Sequence, residues 1–239
     1  MRIDRLLVEA GYFSSRERAQ RSIRAGEILV EERVVDKPGS LVRPDAEVRV
    51  RGQEKYVGRG GYKLEAALDH FAIQPLNWIC LDAGASTGGF TDCLLQRGAA
   101  KVIALDVGHN QLAWKLRSDV RVVVREGVNA RFLTEDVIGT TVQLAVVDVS
   151  FISLTLVLAP IFACVEKGGI VISLIKPQFE LEPGLVGKGG IVREEDRRLA
   201  AVAKVRRFVV EILGRDWLGE MESPIRGARG NKEYLACLR

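Results

Sequence analysis

The sequence predicts an α/β protein: a Rossmann-like domain built on a seven-stranded sheet, preceded by a small α+β domain. Three observations lead to this prediction. From about residue 62 onward, apolar runs alternate with helical patterns, as a parallel sheet requires. A glycine-rich turn follows one of those runs and leads into a helix. A chain of 239 residues that is 47% hydrophobic can bury one large core and still form a small extra domain.

The small domain is predicted over residues 1–55 and begins with two helices. The apolar spacing of residues 3–10 predicts the first helix. A capping box formed by Ser14 and Glu17 is expected to open the second. Short apolar runs between Pro/Gly turns then predict strands over 28–30, 34–35 and 48–50.

Arginines recur every three residues along the second helix, at Arg18, Arg21 and Arg24. Such a row suits a phosphate backbone, although charge alone fits a solvated helix face equally well. The net charge of +4, with its excess at the two ends of the chain, is compatible with a nucleic-acid partner. A polar, glycine-bearing linker over 56–61 is expected to lead into the second domain, 62–239.

The second domain is predicted to open with a helix from Tyr62 to about Phe71. Apolar runs then predict the strands, and amphipathic spacing between them predicts the helices. The predicted strands are 78–82, 101–106, 121–125, 142–148, 169–175, 217–222 and 232–238. The predicted helices are 89–97, 110–117, 130–136, 153–165 and 193–213.

The glycine-rich turn after the first of these strands has the spacing D-x-G-x-x-x-G-G. It lacks both the G-x-G-x-x-G of dehydrogenases and the G-K-[ST] of P-loop enzymes. An acid two residues before the first glycine suits a cationic ligand, which favours S-adenosylmethionine, a sulfonium, over a pyrophosphate. A tight turn that binds no ligand is the alternative. The predicted cofactor contacts here are Asp82, Gly84, Ser86, Thr87, Gly88, Gly89 and Phe90.

Five ionisable residues end five predicted strands and should converge on one crevice, because ligands of open α/β sheets lie beyond the carboxyl ends of the strands. The second acid, Asp106, lies 24 residues after the first, Asp82, close to the spacing of about 20 residues at which an acid reaches ribose hydroxyls. The segment after the third strand should lie near the adenine, with Asn129 more simply explained as a helix cap. The residues concerned are Asp82, Asp106, Glu126 (followed by Gly127 and Val128), Asp148 and Lys176.

A loop with Gly184, Gly187, Gly189 and Gly190 follows Lys176 and is either a mobile flap over substrate or a floppy surface loop. Four scattered cysteines and two histidines give no metal-ligand spacing, so no metal is expected. The N-terminus lacks a signal-peptide pattern, and the longest apolar run is too short to span a bilayer. We therefore expect a soluble, cytoplasmic protein without a membrane partner.

Most of residues 2–50 match the pattern R-[IL]-D-x-L-L-V-x-x-G-x-x-x-S-R-x-x-A-x-x-x-I-x-x-G, which resembles the S4 RNA-binding domain. Glu31-Glu32 depart from that family, which often places Asn-Gly at this hairpin tip. The resemblance implies RNA contacts by Arg5, Ser15, Arg16, Arg18, Arg21 and Lys37.

The whole chain resembles the TlyA (hemolysin A) family of ribosomal RNA 2′-O-methyltransferases. The motifs that carry the resemblance include G-G-Y-K-L at 60–64, D-V-S-F-I-S at 148–153, I-K-P-Q-F-E at 175–180 and N-K-E-Y at 231–234. The family's catalytic domain is similar to FtsJ-type enzymes, which use a Lys-Asp-Lys-Glu tetrad. The resemblance implies the tetrad Lys63, Asp148, Lys176 and Glu233, and it adds Val107 to the cofactor contacts.

These residue types fit methyl transfer to a ribose 2′-hydroxyl. A lysine amine can act as base where burial and neighbouring cations favour its neutral form, so Lys176 is the expected base, with Asp148 and Glu233 as orienting groups. The resemblance implies cytidine in ribosomal RNA as substrate. The alternatives are an RNA-binding or ribosome-assembly factor without turnover and, less favoured, a membrane-lytic hemolysin. The sequence leaves the oligomeric state open between a monomer and a weak dimer.

Overall fold

The computed structural model describes residues 1–13, 15–51 and 55–239, so Ser14 of the expected capping box lies outside the described residues. The chain divides into two compact units, Met1–Lys55 and Tyr56–Arg239. Each unit has its own hydrophobic core.

The N-terminal unit packs two helices against a three-stranded antiparallel sheet. Its helices are α1 (Ile3–Glu9) and α2 (Arg16–Arg24), and its strands are β1 (Ile28–Val30), β2 (Arg33–Val35) and β3 (Val48–Val50), in the order β2-β1-β3. Apolar side chains from both helices and from β1 form the core, among them Ile3, Leu7, Ile23 and Ile28. The unit is therefore the small α+β domain that the sequence predicts.

A buried carboxylate joins the two helices of this unit. Asp4 on α1 is fully buried and accepts hydrogen bonds from Arg2, from Arg16 and from Gln20, the last two on α2. The Arg2 guanidinium, helped by Arg16 and Gln20, holds the pKa of Asp4 well below its ordinary value against the opposing effect of burial. The N-cap of α2 is Ser15, whose hydroxyl accepts from the Arg18 N–H at 3.4 Å.

The second unit has one seven-stranded sheet in the order β6-β5-β4-β7-β8-β10-β9, and only β10 runs antiparallel to its described neighbours, β8 and β9. This arrangement confirms the predicted fold class. The strands are β4 (Ile79–Ala83), β5 (Lys101–Asp106), β6 (Val122–Glu126), β7 (Val142–Val147), β8 (Val165–Ile175), β9 (Trp217–Glu222) and β10 (Tyr234–Leu238).

Helices cover both faces of this sheet, and the sheet separates two apolar clusters, one on each face. Among the described residues, no helix is both long enough and apolar enough to cross a bilayer. The helices are α3 (Gly60–His70), α4 (Gly89–Gln96), α5 (Trp114–Arg117), α6 (Glu135–Ile138), α7 (Leu158–Ala163), α8 (Pro177–Glu180) and α9 (Glu195–Arg207), the last continuing as a π-turn over Phe208–Ile212.

Three predicted helices are shorter or broken. The helix expected over 110–117 begins only at Trp114, and that over 130–136 is a 3-10 turn (Ala130–Phe132) followed by α6. The helix expected over 153–165 is a 3-10 turn (Leu154–Leu156) followed by α7. Pro160 explains the last break, because a proline is tolerated only in the first turn of a helix, where its missing N–H has no partner to lose.

Candidate active site

A cavity of about 530 Å³ opens at the carboxyl ends of β4, β5 and β7, where the sequence predicts a ligand. Its size lies within the range of small-molecule sites. Among the predicted cofactor contacts, those that line it are Gly84, Ser86, Asp106, Val107, Val128 and Asp148.

Asp106 presents a preorganised carboxylate to this cavity. Its Oδ2 accepts from the Ser86 N–H and its Oδ1 from the Gly108 N–H, both at 2.7 Å. Each oxygen keeps a further lone pair for another donor. A carboxylate fixed in this way can accept hydrogen bonds from a pair of ribose hydroxyls.

Gly84 brings two walls of the cavity together. Its φ of +89° is a conformation that favours glycine, and a Cβ there would lie 2.4 Å from the Asp148 carbonyl oxygen. The segment after β7 can therefore pass directly beside the turn after β4 only because residue 84 has no side chain.

Asp82, the acid of the glycine-rich turn, does not line the cavity. It is fully buried, and its Oδ2 accepts from the Thr91 hydroxyl of α4 at 2.6 Å, while its Oδ1 has no hydrogen-bond partner among the described residues. Burial raises the pKa of Asp82 to about 7, and the nearby carboxylates Asp148 and Asp106 add to the rise. Asp82 thus supports the turn from below, instead of meeting a ligand directly as the sequence suggested.

The paired glycines also have a different role from the one expected. A Cβ on Gly88 (φ +98°) would lie 2.2 Å from Leu116 Cδ1 and 2.7 Å from Leu112 Cδ1, and a Cβ on Gly89 would lie 2.9 Å from the Gly61 nitrogen. Both therefore allow close internal packing around α4 and do not face the cavity. Thr87 is exposed outside the lining, and Phe90 is buried in the core.

Glu126 and Gly127 lie outside the cavity lining as well. The Glu126 carboxylate pairs with Arg117 and accepts from the Asn110 N–H at 2.8 Å. Burial alone would raise the pKa of Glu126, but these two donors hold it below its ordinary value. Asn129 lines the cavity and caps the following 3-10 turn, because its side chain accepts from the Arg131 N–H at 3.0 Å.

The first half of the predicted tetrad is an ion pair at the edge of the cavity. Lys176 Nζ lies 2.6 Å from Asp148 Oδ1 and donates to the Ser150 hydroxyl at 2.8 Å. Asp148 follows β7 and Lys176 follows the neighbouring β8, so the parallel pairing of these strands brings them together. Only 10% of the Lys176 side chain is exposed, which keeps the amine largely out of bulk water.

The second half is a more deeply buried ion pair. Lys63 Nζ on α3 donates to Glu233 Oε2 at 2.6 Å, and their side chains are 10% and 2% exposed. Tyr234 pairs with Ile175, so Glu233 occupies the next register position beside Lys176. A Cβ on Gly227 would lie 1.8 Å from Glu233 Oε1, so that glycine makes room for the carboxylate.

Hydrogen bonds hold the glycine-rich loop that follows Lys176, whereas the sequence predicted either a mobile flap or a floppy surface loop. The buried Asn231 accepts from the Val192 N–H at 2.9 Å and donates to the Gly190 carbonyl at 2.8 Å. Arg229 donates to the Gly189 carbonyl at 2.8 Å. Asn231 opens the N-K-E-Y motif, so its amide links this loop to the segment that carries Glu233.

Two aromatic side chains lie beside Lys176 that the sequence reasoning did not select. Phe151 is 91% exposed at φ +64°, an unusual backbone conformation for a bulky residue, and its ring lies 5.1 Å from that of Phe179. Lys176 Nζ lies 6.0 Å from the centre of the Phe179 ring. A phenylalanine directly after Ser150 in the D-V-S-F motif was the available signal.

The candidate RNA contacts of the N-terminal unit fall into two groups. Arg5 pairs with Glu9, Arg16 pairs with Asp4, and Ser15 caps α2, so these three already have structural partners. The other three, Arg18, Arg21 and Lys37, are exposed to solvent.

The model of the FtsJ-like methyltransferase family matches residues 56–239, and the model of the S4 domain matches residues 1–48. The 16S/23S rRNA (cytidine-2′-O)-methyltransferase TlyA of Mycobacterium tuberculosis is 45% identical over all of this chain and 89% of its own length. Hemolysin A of Brachyspira hyodysenteriae is 44% identical over 99% of this chain and 98% of its own length.

Among solved structures, a Streptococcus thermophilus chain named as a candidate hemolysin superposes with a TM-score of 0.75 at 42% identity, covering 100% of this chain and 87% of its own. An S-adenosylmethionine-dependent methyltransferase from Mesorhizobium loti matches at a TM-score of 0.56 and 14% identity, covering 76% of this chain and 100% of its own. The second likeness shows the fold alone.

Proposed function

Because this chain belongs to the FtsJ-like methyltransferase family, we propose that it transfers a methyl group from S-adenosylmethionine to the ribose 2′-hydroxyl of a cytidine in ribosomal RNA. The observation that carries the proposal is the Lys176–Asp148 ion pair at the edge of the cavity, at 2.6 Å. The second ion pair joins Lys63 to Glu233, and Glu233 occupies the strand register position beside Lys176.

The cavity fits the methyl donor that the family uses. Asp106 would accept from the donor's ribose hydroxyls, while Val107 and Val128 offer apolar surface to the adenine. Asp148 would lie on the side of the positively charged sulfur, whose methyl group is the electrophile that the bound donor supplies. Gly84 lets the segment that carries Asp148 pass directly beside this end of the cavity.

Lys176 acts as the base in this proposal. A 2′-hydroxyl becomes an effective nucleophile as its proton is drawn away, and a positioned amine can accept that proton. Asp148 and Glu233 orient the two lysines, and the exposed Phe151 ring offers a surface on which a nucleobase can stack. A base must carry a free lone pair to accept that proton, so we expect the rate to rise with pH.

The N-terminal unit supplies RNA docking in this proposal. Its match to the S4 domain and the exposed side chains Arg18, Arg21 and Lys37 support that role. Ribosomal RNA or a ribosomal subunit is then the partner, which implies a cytoplasmic protein. The described residues contain no cluster of metal ligands, and the proposed proton transfer uses only side chains.

The test is methyl transfer from labelled S-adenosylmethionine to ribosomal subunits. Lys176→Ala should abolish transfer yet bind the donor, and Lys176→Arg should be nearly as inactive because guanidinium stays protonated. Lys167→Ala, an exposed lysine at the other end of β8, is the matched control and should stay active. Arg18→Glu with Arg21→Glu should weaken RNA binding and its salt dependence while donor affinity is kept.

The product needs its own measurement. A methylated 2′-oxygen makes the adjoining phosphodiester resistant to alkaline cleavage, whereas methylation of the base leaves it sensitive. Alkali-sensitive linkage at the labelled nucleotide would exclude the ribose as acceptor. Substantial turnover by Lys176→Arg would exclude Lys176 as the base.

A further inference from the structure

Ser150 is the one neutral hydrogen-bonding partner that the described residues offer to the Lys176 amine. Its hydroxyl accepts from Nζ at 2.8 Å, and its side chain lines the cavity. Asp148 approaches the same nitrogen at 2.6 Å from another side. Two of the directions around Nζ are therefore occupied by the protein.

The geometry of an amine gives these two contacts a consequence. A neutral lysine amine has two N–H bonds and one lone pair, arranged about the nitrogen as the corners of a tetrahedron. One N–H points to Ser150, and the negative charge of Asp148, 2.6 Å from the same nitrogen, repels the lone pair, so the lone pair has a single remaining direction. Resting on the proposed function, we propose that Ser150 is a positioning residue that fixes the Lys176 lone pair toward the ribose 2′-hydroxyl, whose proton that nitrogen accepts.

The structure holds Ser150 in place from both sides. Before it, the Asp148 N–H donates to the Ala83 carbonyl at 2.9 Å, which fixes the start of the loop to β4. After it, Phe151 turns the chain at φ +64°. Glu180, which is 3% exposed, then accepts from the Leu154 N–H at 2.8 Å and from the Ser153 hydroxyl.

The Glu180 contacts matter because Glu180 lies in the segment that begins with Lys176. The loop with Ser150 and the segment with Lys176 are thus joined twice, once at the amine and once at Glu180. Ser150 itself is exposed, so these two links, and not burial, hold its hydroxyl beside the amine and the amine in one orientation.

The experiment compares Ser150→Ala and Ser150→Thr with the wild-type full chain, by methyl transfer to ribosomal subunits at several pH values. Loss of orientation should lower kcat of Ser150→Ala by about 10- to 100-fold, the scale on which small misplacements act. KM for the donor and for RNA should change less than about threefold, since the serine is proposed to act on the base and not on binding. Ser150→Thr keeps the hydroxyl and should recover most of the rate.

The pH profile separates orientation from an effect on protonation. The groups that face the Lys176 amine are Asp148, Ser150, the Phe179 ring and, in the next register position, Glu233. An effect of the substitution on protonation alone would shift the pH profile of Ser150→Ala and leave its plateau unchanged. The proposal requires a lower plateau instead.

Three results would overturn the proposal: full activity of Ser150→Ala, a shifted profile with an unchanged plateau, or a folded Ser150→Thr as slow as Ser150→Ala. A wild-type chain that binds the donor but leaves every 2′-hydroxyl unmethylated would overturn the proposed function as well. The two failures are thus distinguished by the behaviour of the wild type.

Discussion

The Lys63–Glu233 ion pair allows a quantitative test, because both partners are buried and their contact is 2.6 Å long. Removing one member of a buried pair leaves the other charge without compensation, at a cost of about 3–5 kcal/mol. Lys63→Met leaves the Glu233 carboxylate buried without a compensating charge, since its side chain is only 2% exposed. Glu233→Gln leaves Lys63 without its partner. Because the Lys63 side chain is 10% exposed and can extend toward water, we expect the free energy of unfolding to fall by only about 1–3 kcal/mol.

The double variant should be less destabilised than the sum of the two single variants. Met and Gln resemble the replaced side chains in size, which matters because Gly227 leaves no spare room at Glu233. We expect a coupling free energy of about 1.5 kcal/mol or more between the two sites. Each kcal/mol corresponds to about 2–4 °C in Tm for a domain of this size, so Lys63→Met should melt roughly 10 °C below the wild type.

Urea unfolding followed by tryptophan fluorescence measures these free energies for the second unit alone, because the three tryptophans, Trp78, Trp114 and Trp217, all lie within 56–239. A coupling free energy near zero would refute the reasoning, since two charges in buried contact must interact. Methyl transfer by the same variants adds a second readout. If the double variant regained both stability and full activity, the pair would be structural and would have no part in the chemistry.

Two further predictions follow from the glycine-rich turn. Asp82→Asn should flatten the pH dependence of the free energy of unfolding. Because burial raises the pKa of Asp82 to about 7, its stabilising contribution is complete below the pKa of an unfolded carboxyl and is lost as the pH rises through 7. The urea midpoint of the wild type should therefore fall more between pH 5 and 8 than the midpoint of the variant. Gly88→Val should lower Tm by at least 5 °C, because strain at φ +98° and overlap with Leu112 and Leu116 together cost about 2–5 kcal/mol. Lost donor affinity with an unchanged Tm would instead mean that Gly88 faces the ligand.

The parts of the fold that the sequence predicted well depend on local patterns. Alternating apolar runs and helical spacing gave the strands of the second unit within a few residues, apart from β8, which begins at Val165 instead of 169. Placing Asp106, Asp148 and Lys176 at one crevice needed only the rule that parallel strands end at a common edge. That rule says which edge a residue reaches but not where its side chain points. Asp82 and Glu126 obey the rule and still do not line the cavity.

The remaining features depend on contacts between distant parts of the chain. Lys63 and Glu233 are 170 positions apart, and only the resemblance to the family, not periodicity or strand position, named the two residues. Glycine spacing could not reveal whether Gly88 and Gly89 make room for a ligand or for a neighbouring helix, because both uses require the same missing Cβ. The Leu112 and Leu116 side chains that decide the matter lie more than 20 residues further along the chain.

The arrangement of charges suggests how donor binding affects the Lys176 amine in the proposed reaction. Each lysine of the tetrad has one carboxylate partner, so without a ligand the four side chains balance. Asp148 both contacts Lys176 and lines the cavity, so a sulfonium bound there shares that carboxylate with the amine. Two positive groups would then compete for one carboxylate, so donor binding would loosen the hold of Asp148 on the Lys176 amine. Ser150 could still orient the amine, since a hydroxyl carries no charge to be neutralised.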